Sequence, residues 1–296
     1  MDLTDTVPLP RFDLVASLLA RCSFPPSGTT VTCAVSGGAD SLALLVLACA
    51  AGCNVDAIHV DHGIREGSAA EASVVASAAA RFGATFQSKS VVVTAGPNLE
   101  ARAREARFSV FPSDVLTGHT ADDQAETILI NLMRGAGLSG LAGMDTEGHP
   151  ILALRRHETV ALCTMLGLEV VHDPSNADAR FVRNRVRHDV LPLLSEIAQR
   201  DVALVLARQA GVLHEEEALL DILAADIDPT SAWAVSRAPV ALARRSLRRW
   251  LAQPMPPSQD EIERVLRVAR GEVTACEIEG GRRIARTAGV LRIIQR

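Results

Sequence analysis

The chain has 296 residues, 48% hydrophobic and 22% charged, the balance of a globular protein with room for two domains. Its 30 Lys+Arg against 35 Asp+Glu leave a net charge of −5, a total that at face value argues against a nucleic-acid partner. No stretch reaches the ~18–20 apolar residues of a bilayer span, and the acidic start, broken by Pro8 and Pro10, lacks a secretory pattern, so a cytoplasmic protein without membrane contact is expected.

The elements follow in order. Residues 29–36 are β-rich and end at Gly37-Gly38; 40–51 read as a helix; 55–62 as a second strand; 68–82 as an Ala-rich helix stopped by Gly83. Residues 84–93 suggest a third strand, Asn98 the cap of a helix through Phe111, 114–118 a fourth strand, and 121–134 a further helix. Strands alternating with helices predict an α/β fold with a doubly wound parallel sheet, whose ligands bind beyond the carboxyl ends of the strands. After Gly135 the pattern changes. A Gly-rich segment runs to Pro150, the apolar ILAL at 151–154 looks β-like, and a helix is expected at 157–167. Segment 172–188 is polar and Arg-rich, and 190–225 is strongly helical. Helices at 240–252 and 258–270 and short strands at 273–279 and 282–294 complete the chain. The expected division is 1–198 as the catalytic domain and 199–296 as a smaller, mainly helical C-terminal domain.

The sharpest feature is AVSGGADS, Ala34–Ser41, at a strand-to-helix turn. Gly37 and Gly38 allow unusual backbone angles and close approach of a ligand. The following helix would aim free N–H groups and its positive dipole end at that ligand. Ser36, Gly37, Gly38, Ala39, Asp40 and Ser41 therefore form a candidate pyrophosphate cradle. It is not a Walker A loop, since G-x-x-x-x-G-K-[ST] is missing. Lys89 is the one lysine residue, so Mg²⁺ and arginines must neutralise the phosphates, with Asp40 as the metal-side carboxylate. The plainer alternative is a tight turn with Asp40 capping its helix.

Other positions can be read the same way. Asp61 and His62 end the second strand on the same sheet edge, and His119 ends the fourth. Asp122, Asp123 and Glu126 open a helix, where acids are stabilising. Asp123 and Glu126, three apart on one face, could instead share Mg²⁺ or hold a lysine ammonium. Arg104 and Arg107 also lie three apart and could reach an anionic ligand, or form a solvated face with Glu100 and Glu105. Arg180, Arg183, Arg185 and Arg187, with Asn184 among them, form a cluster of the kind a nucleic-acid backbone prefers. Arg244, Arg245, Arg248 and Arg249 form a second cluster, and Arg282, Arg283 and Arg286 a third. The six cysteines are scattered in apolar surroundings without C-x-x-C, which reads as buried reduced thiols.

S-G-G-x-D-S is the signature of the PP-loop ATP pyrophosphatases, and the chain resembles one of their families, the tRNA(Ile)-lysidine synthases. HVDHGIR (59–65), NLEARAREARF (98–108), GHTADDQAET (118–127), RGAGLSGLAGM (134–144), DPSN (173–176) and RNRVRHDVLP (183–192) match that family's blocks in order, so the likeness covers about 29–195. It departs at HPILAL, where His149 replaces the family's usual Arg, and it matches no block after about 200.

The resemblance implies an adenine-nucleotide alpha-hydrolase-like fold and an ATP-dependent ligase. In the implied reaction, ATP and Mg²⁺ bind on Ser36–Ser41, with Asp61, His62 and His119 as nucleotide contacts. The 2-oxygen of the wobble cytidine of a CAU-anticodon isoleucine tRNA attacks the α-phosphorus, and pyrophosphate leaves. Free L-lysine then displaces AMP at C2. Asp40, Asp123 and Glu126 would be catalytic; Arg104, Arg107, Asp122, Arg183, Asn184, Arg185 and Arg187 would meet the tRNA and substrate. The oligomeric state is left open, a homodimer included. A PP-loop thiolase is a rival reading that the missing C-x-x-C disfavours, and a small-molecule amide ligase would leave the Arg-rich block unexplained.

The charge then sorts itself. Residues 1–150 carry net −7 and residues 151–296 net +2, all the positive groups of the second half being arginine. An acidic total is compatible with RNA when the basic groups are clustered.

Overall fold

The computed structural model describes residues 9–61, 68–91, 109–171 and 178–295. The chain divides into two compact units, one running to Val212 and the other from Leu213 onward. The sequence places the division at 198/199. The division by contacts falls instead inside a 24-residue helix, Val202–Ala225.

The first unit is built on a four-stranded parallel sheet of β1 (Thr30–Ala34), β2 (Asn54–Asp61), β3 (Thr85–Ser90) and β4 (Leu116–Thr117) in the order β3-β2-β1-β4. β1 registers on β2 from Thr30↔Asn54 to Ala34↔Ile58, and on β4 through Cys33↔Leu116 and Ala34↔Thr117. The chain winds from β1 outward to β3, then returns to β1's other side as β4. The strand order therefore reverses between β1 and β4, and such reversals leave a crevice at the strands' carboxyl ends.

Helices α1 (Leu9–Leu19), α2 (Ala39–Ala50), α3 (Ser68–Phe82), α4 (Ala121–Met133), α5 (Leu138–Ala142) and α6 (Arg156–Leu166) accompany the sheet. All of Ser41–Ala48 in α2 is buried, as expected of a helix apolar all round. The core joins α2 to Val31, Cys33 and Val55 of the strands and to Leu162 and Cys163 of α6.

The sequence places these elements closely. The helix expected at Asn98–Phe111 lies outside the described residues except for its last three, which form a turn. One expectation within this unit fails: Ile151–Leu154 is a turn rather than a strand. Three of its four residues are buried, Ile151 at 0%, Leu152 at 7% and Leu154 at 0% exposure, but their backbone bonds close local turns instead of a ladder (Leu152 N–H to the His149 carbonyl at 3.0 Å, Leu154 N–H to the Ile151 carbonyl at 2.9 Å). Burial made the segment apolar without making it β.

Next come α7 (Val182–Arg185), a π-helical turn (Val186–Val190) and α8 (Leu191–Ala198). Pro192 lies at the start of α8 and has no N–H to return to the carbonyl four residues back, which explains the widened turn ahead of it. Helix α9 (Val202–Ala225) follows.

The second unit holds α10 (Ala232–Arg237), α11 (Val240–Trp250) and α12 (Gln259–Arg270) with an antiparallel sheet, β5 (Ala275–Ile278), β6 (Arg282–Thr287) and β7 (Val290–Gln295). The segment 282–294, read as one strand, is a hairpin turning at Ala288-Gly289, both with positive φ. Its core is formed by Leu247, Leu251, Ile262, Leu266, Ile284 and Leu291. Among the described residues no helix is long and apolar enough to cross a membrane.

Candidate active site

The loop Val35–Gly38 leaves β1 at the point where the sheet order reverses. Gly37 takes φ +88°, and a Cβ there would come within 2.7 Å of Val171 Cγ2, so glycine is required on both counts. Gly38 is the N-cap of α2 and receives no side-chain cap bond; a Cβ there would meet only Ser36 Oγ, at 3.8 Å. The helix N-terminus thus carries an uncapped dipole end beside open space, the arrangement suited to an anion. Ser41 ties the loop together: its hydroxyl donates to the Gly38 carbonyl (2.9 Å), accepts from the Ser36 N–H (3.1 Å) and lies 3.2 Å from Ser36 Oγ.

β4 ends against this loop. A Cβ on Gly118 would lie 2.7 Å from the Asp40 carbonyl oxygen and 3.0 Å from the Ser41 Cα, so only glycine lets the two backbones meet. His119, one residue on, places Nδ1 2.7 Å from Thr117 Oγ1, and its ring lies 4.9 Å from that of His149. His149, the position that departs from the resembled family, therefore neighbours a predicted nucleotide contact. His59 is buried on β2, with Nδ1 3.0 Å from the Val35 carbonyl. Asp61 ends β2, whereas His62, Arg104 and Arg107 lie outside the described residues.

Three carboxylates converge beside the loop. Glu126 is fully buried (0%) and Asp123 nearly so (7%). Asp123 Oδ2 accepts from the N–H and hydroxyl of Thr120, both at 2.9 Å, as the box that caps α4. Capping and site construction thus coexist in one residue. Its other oxygen accepts from Arg156 (2.8 Å) and Arg183 (3.1 Å). Glu126 accepts from Arg156 (3.1 Å), Arg183 (2.7 Å) and Arg187 (2.7 and 3.0 Å). Asp40 receives Arg156 Nε at 3.3 Å and the hydroxyl of fully buried Thr159. Three carboxylates and three guanidiniums form one neutral lattice spanning the loop, α4, α6 and the Arg-rich segment.

The lattice sets the acidities. Burial raises the Asp40 carboxyl above its ordinary value, against the Thr159 hydroxyl and Arg156. Burial also works to raise the Asp123 pKa, but the guanidiniums of Arg156 and Arg183 outweigh it and hold that carboxyl below the usual carboxylate range. Asp122 is likewise lowered, since the bonds from Arg155 and from the Arg156 N–H exceed the cost of burial. Arg156 is held protonated by Asp123, Glu126 and Asp40 despite its burial.

From the sequence, Asp122 is expected to meet tRNA and substrate. In the fold it grips Arg155 through two bonds (3.0 and 2.8 Å) and the Arg156 N–H (2.7 Å), which pins the start of α6. Arg183 and Arg187, read as phosphate contacts, turn inward to Glu126. Arg185 remains outward, 66% exposed, with a 3.4 Å contact to Asp189. Asn184 is buried and donates to the Asp178 carbonyl at 2.9 Å.

Arg155, Arg156 and Thr159 were not singled out from the sequence. Helix α6 starts on an arginine cap instead of Ser, Thr, Asp or Asn, so the usual start signal is missing. The available sign was Glu158, three residues after Arg155, whose carboxylate accepts the Arg155 N–H at 2.8 Å.

The two basic clusters of the second unit are largely committed within it. Arg244 pairs with Glu263 (2.6 Å) and Arg245 with Asp221 (2.7 Å). Arg282 is 4% exposed and donates to the carbonyls of Glu279, Leu251, Gln253 and Met255. Arg286 donates to the Ala269 carbonyl at 2.9 Å. Arg249 and Arg283 face outward.

A parallel sheet whose order reverses beside a Ser-Gly-Gly loop and an uncapped helix defines a nucleotide-binding domain of the PP-loop class. Residues 15–194 match the PP-loop domain family. The chain is 42% identical to the tRNA(Ile)-lysidine synthase of Nocardia farcinica, covering 87% of this chain and 86% of that protein. It is 44% identical to the tRNA(Ile)-lysidine synthase of Rhodococcus erythropolis, over 75% and 74% respectively. Among solved structures it shares the fold of the U34-tRNA thiolase NcsA from Methanococcus maripaludis, with TM-score 0.55 and 19% identity over 69% of this chain and 79% of that one. The chain belongs to the tRNA(Ile)-lysidine synthase family of PP-loop proteins, a family of ATP-dependent ligases.

Proposed function

We propose that the protein joins L-lysine to C2 of the wobble cytidine, position 34, of the CAU-anticodon isoleucine tRNA, by way of an adenylated base. The observation that carries this reading is the meeting of an anion-suited loop with half-buried Asp40 and buried Asp123 and Glu126 at the sheet's reversal point. A phosphate seat and a cation seat then lie side by side, as a reaction between ATP and lysine requires.

In this reading the amides of Gly38–Ser41 and the dipole of α2 hold the pyrophosphate end of ATP. The cytidine, drawn out of the anticodon stack, presents its 2-oxygen to the α-phosphorus, and the P–O bond to pyrophosphate breaks. The lysine ε-ammonium first yields a proton to water; the free amine attacks C2, AMP leaves with the 2-oxygen, and the new C–N nitrogen releases its second proton to solvent. Asp123 and Glu126 seat the lysine ammonium, exchanging it for guanidinium partners. Arg183 and Arg187 supply positive charge near the phosphates, which the single lysine residue cannot. Asp61, His62 and His119 contact the nucleotide; Arg104, Arg107 and Arg185 meet tRNA. Positioning and electrostatics account for most of the acceleration.

Magnesium fits in one way. Among the described residues no group of three or more His, Cys, Asp or Glu could hold a metal by itself, and Asp123 and Glu126 are engaged by guanidiniums. Mg²⁺ commonly rests on one or two carboxylates plus substrate phosphates, so Asp40 would hold an ion that arrives with ATP. Bound there, it would screen the phosphate charge. The reaction belongs in the cytoplasm, where tRNA, ATP and free lysine meet.

AMP release should require ATP, lysine and the CAU-anticodon isoleucine tRNA together. AMP released without tRNA would refute this reading. Arg185→Ala should weaken tRNA binding and reduce the salt slope of log K by about 1, as loss of a single phosphate contact does. An unchanged slope in a filter-binding titration removes Arg185 from the interface.

A further inference from the structure

Arg156 reaches all three carboxylates, and its relation to Asp40 differs from its relation to the other two. Asp123 and Glu126 each have further guanidiniums, from Arg183 and Arg187. Among the described residues, Arg156 is the guanidinium on Asp40. The second fixed point on Asp40 is Thr159, one turn further along α6, whose hydroxyl also lies 2.8 Å from the Arg156 carbonyl. The start of α6 is itself pinned to α4, because Asp122 takes both the Arg156 N–H and the Arg155 guanidinium. One rigid helix end therefore fixes the carboxylate that heads α2. Removing Arg156 leaves the cation seat with two of its three guanidiniums but leaves Asp40 with a hydroxyl alone.

We propose that Arg156 is a positioning residue that, with Thr159, fixes the Asp40 carboxylate at the nucleotide loop, and that it serves adenylation rather than lysine capture. The inference rests on the role given to Asp40 above. The guanidinium holds Asp40 in register with Asp123 and Glu126, so that phosphate and lysine seats keep their spacing. A misplaced reacting group costs rate even when binding is intact.

The test separates the two half-reactions. In Arg156→Ala, tRNA-dependent ATP–pyrophosphate exchange should fall about 100-fold, while the lysine KM of the full reaction stays within about threefold. Arg156→Lys should keep about tenfold more exchange than Arg156→Ala, because it restores the charge without the planar fork. Hydrogen exchange, measured by mass spectrometry on the free protein, should rise about tenfold in peptides covering Gly37–Ser41 and stay unchanged in β1.

Exchange activity of Arg156→Ala within about threefold of the parent overturns the proposal. So does a lysine KM that rises in step with the lost exchange, since that marks general collapse of the lattice. Should Arg156→Ala not fold, Arg156→Lys and Thr159→Val are judged by the same readouts. An active Asp40→Asn refutes the assigned role of Asp40 and the route through it together; an inactive Asp40→Asn beside an active Arg156→Ala refutes this inference alone.

Discussion

Asp40→Ala should reduce lysine incorporation into tRNA by about 10²–10³-fold, in the range lost with a single preorganised electrostatic group. The fold should survive the change. Burial already works against the ionised Asp40 carboxyl, Arg156 keeps Asp123 and Glu126 at 2.8 and 3.1 Å, and the Thr159 hydroxyl keeps the Arg156 carbonyl at 2.8 Å. The thermal midpoint should therefore move by no more than about 2–4 °C, the shift expected for about 1 kcal/mol in a protein of this size. Labelled-lysine incorporation alongside a circular-dichroism melt checks both halves. Near-normal incorporation would remove Asp40 from the chemistry, and a collapsed melt would make its role structural.

Glu126→Ala should do the opposite to stability. A fully buried carboxylate facing Arg156, Arg183 and Arg187 cannot be deleted without leaving positive charge uncompensated inside the protein. Breaking a buried pair from one side costs about 3–5 kcal/mol. Urea denaturation should show a loss of that size, little affected by salt because the pairs are shielded from solvent. Glu126→Gln keeps an acceptor oxygen and should lie between. A loss under about 1 kcal/mol would mean that the arginines turn out to water once released, as surface pairs do.

The legible part of the fold was the part written in local patterns. The alternation of strand and helix, the glycine pair and the helix beginnings are each set by neighbours a few residues apart. ILAL misled because burial and strand pairing both select apolar residues, and nothing local separates them. The partners of the arginines were hidden for another reason. Arg183 and Arg187 look like a surface cluster within eight residues of sequence, yet their partner Glu126 lies 57 and 61 positions away. Arg282 shows the same in the second unit, spending a guanidinium on backbone carbonyls of a distant turn. A guanidinium's destination depends on the finished fold, so the sequence displays the charge but not its partner.

Gly118 bears on how evolution and engineering can alter this enzyme. Its missing side chain lets the end of one strand rest directly on the first turn of the helix behind the loop. Those two segments, 77 positions apart, therefore cannot drift separately: a methyl group there must push the Asp40 carbonyl outward and tilt the amides behind it. The cradle is cast when the sheet forms, before any nucleotide arrives. Attempts to retune it by loop redesign alone would be working on one half of a joint.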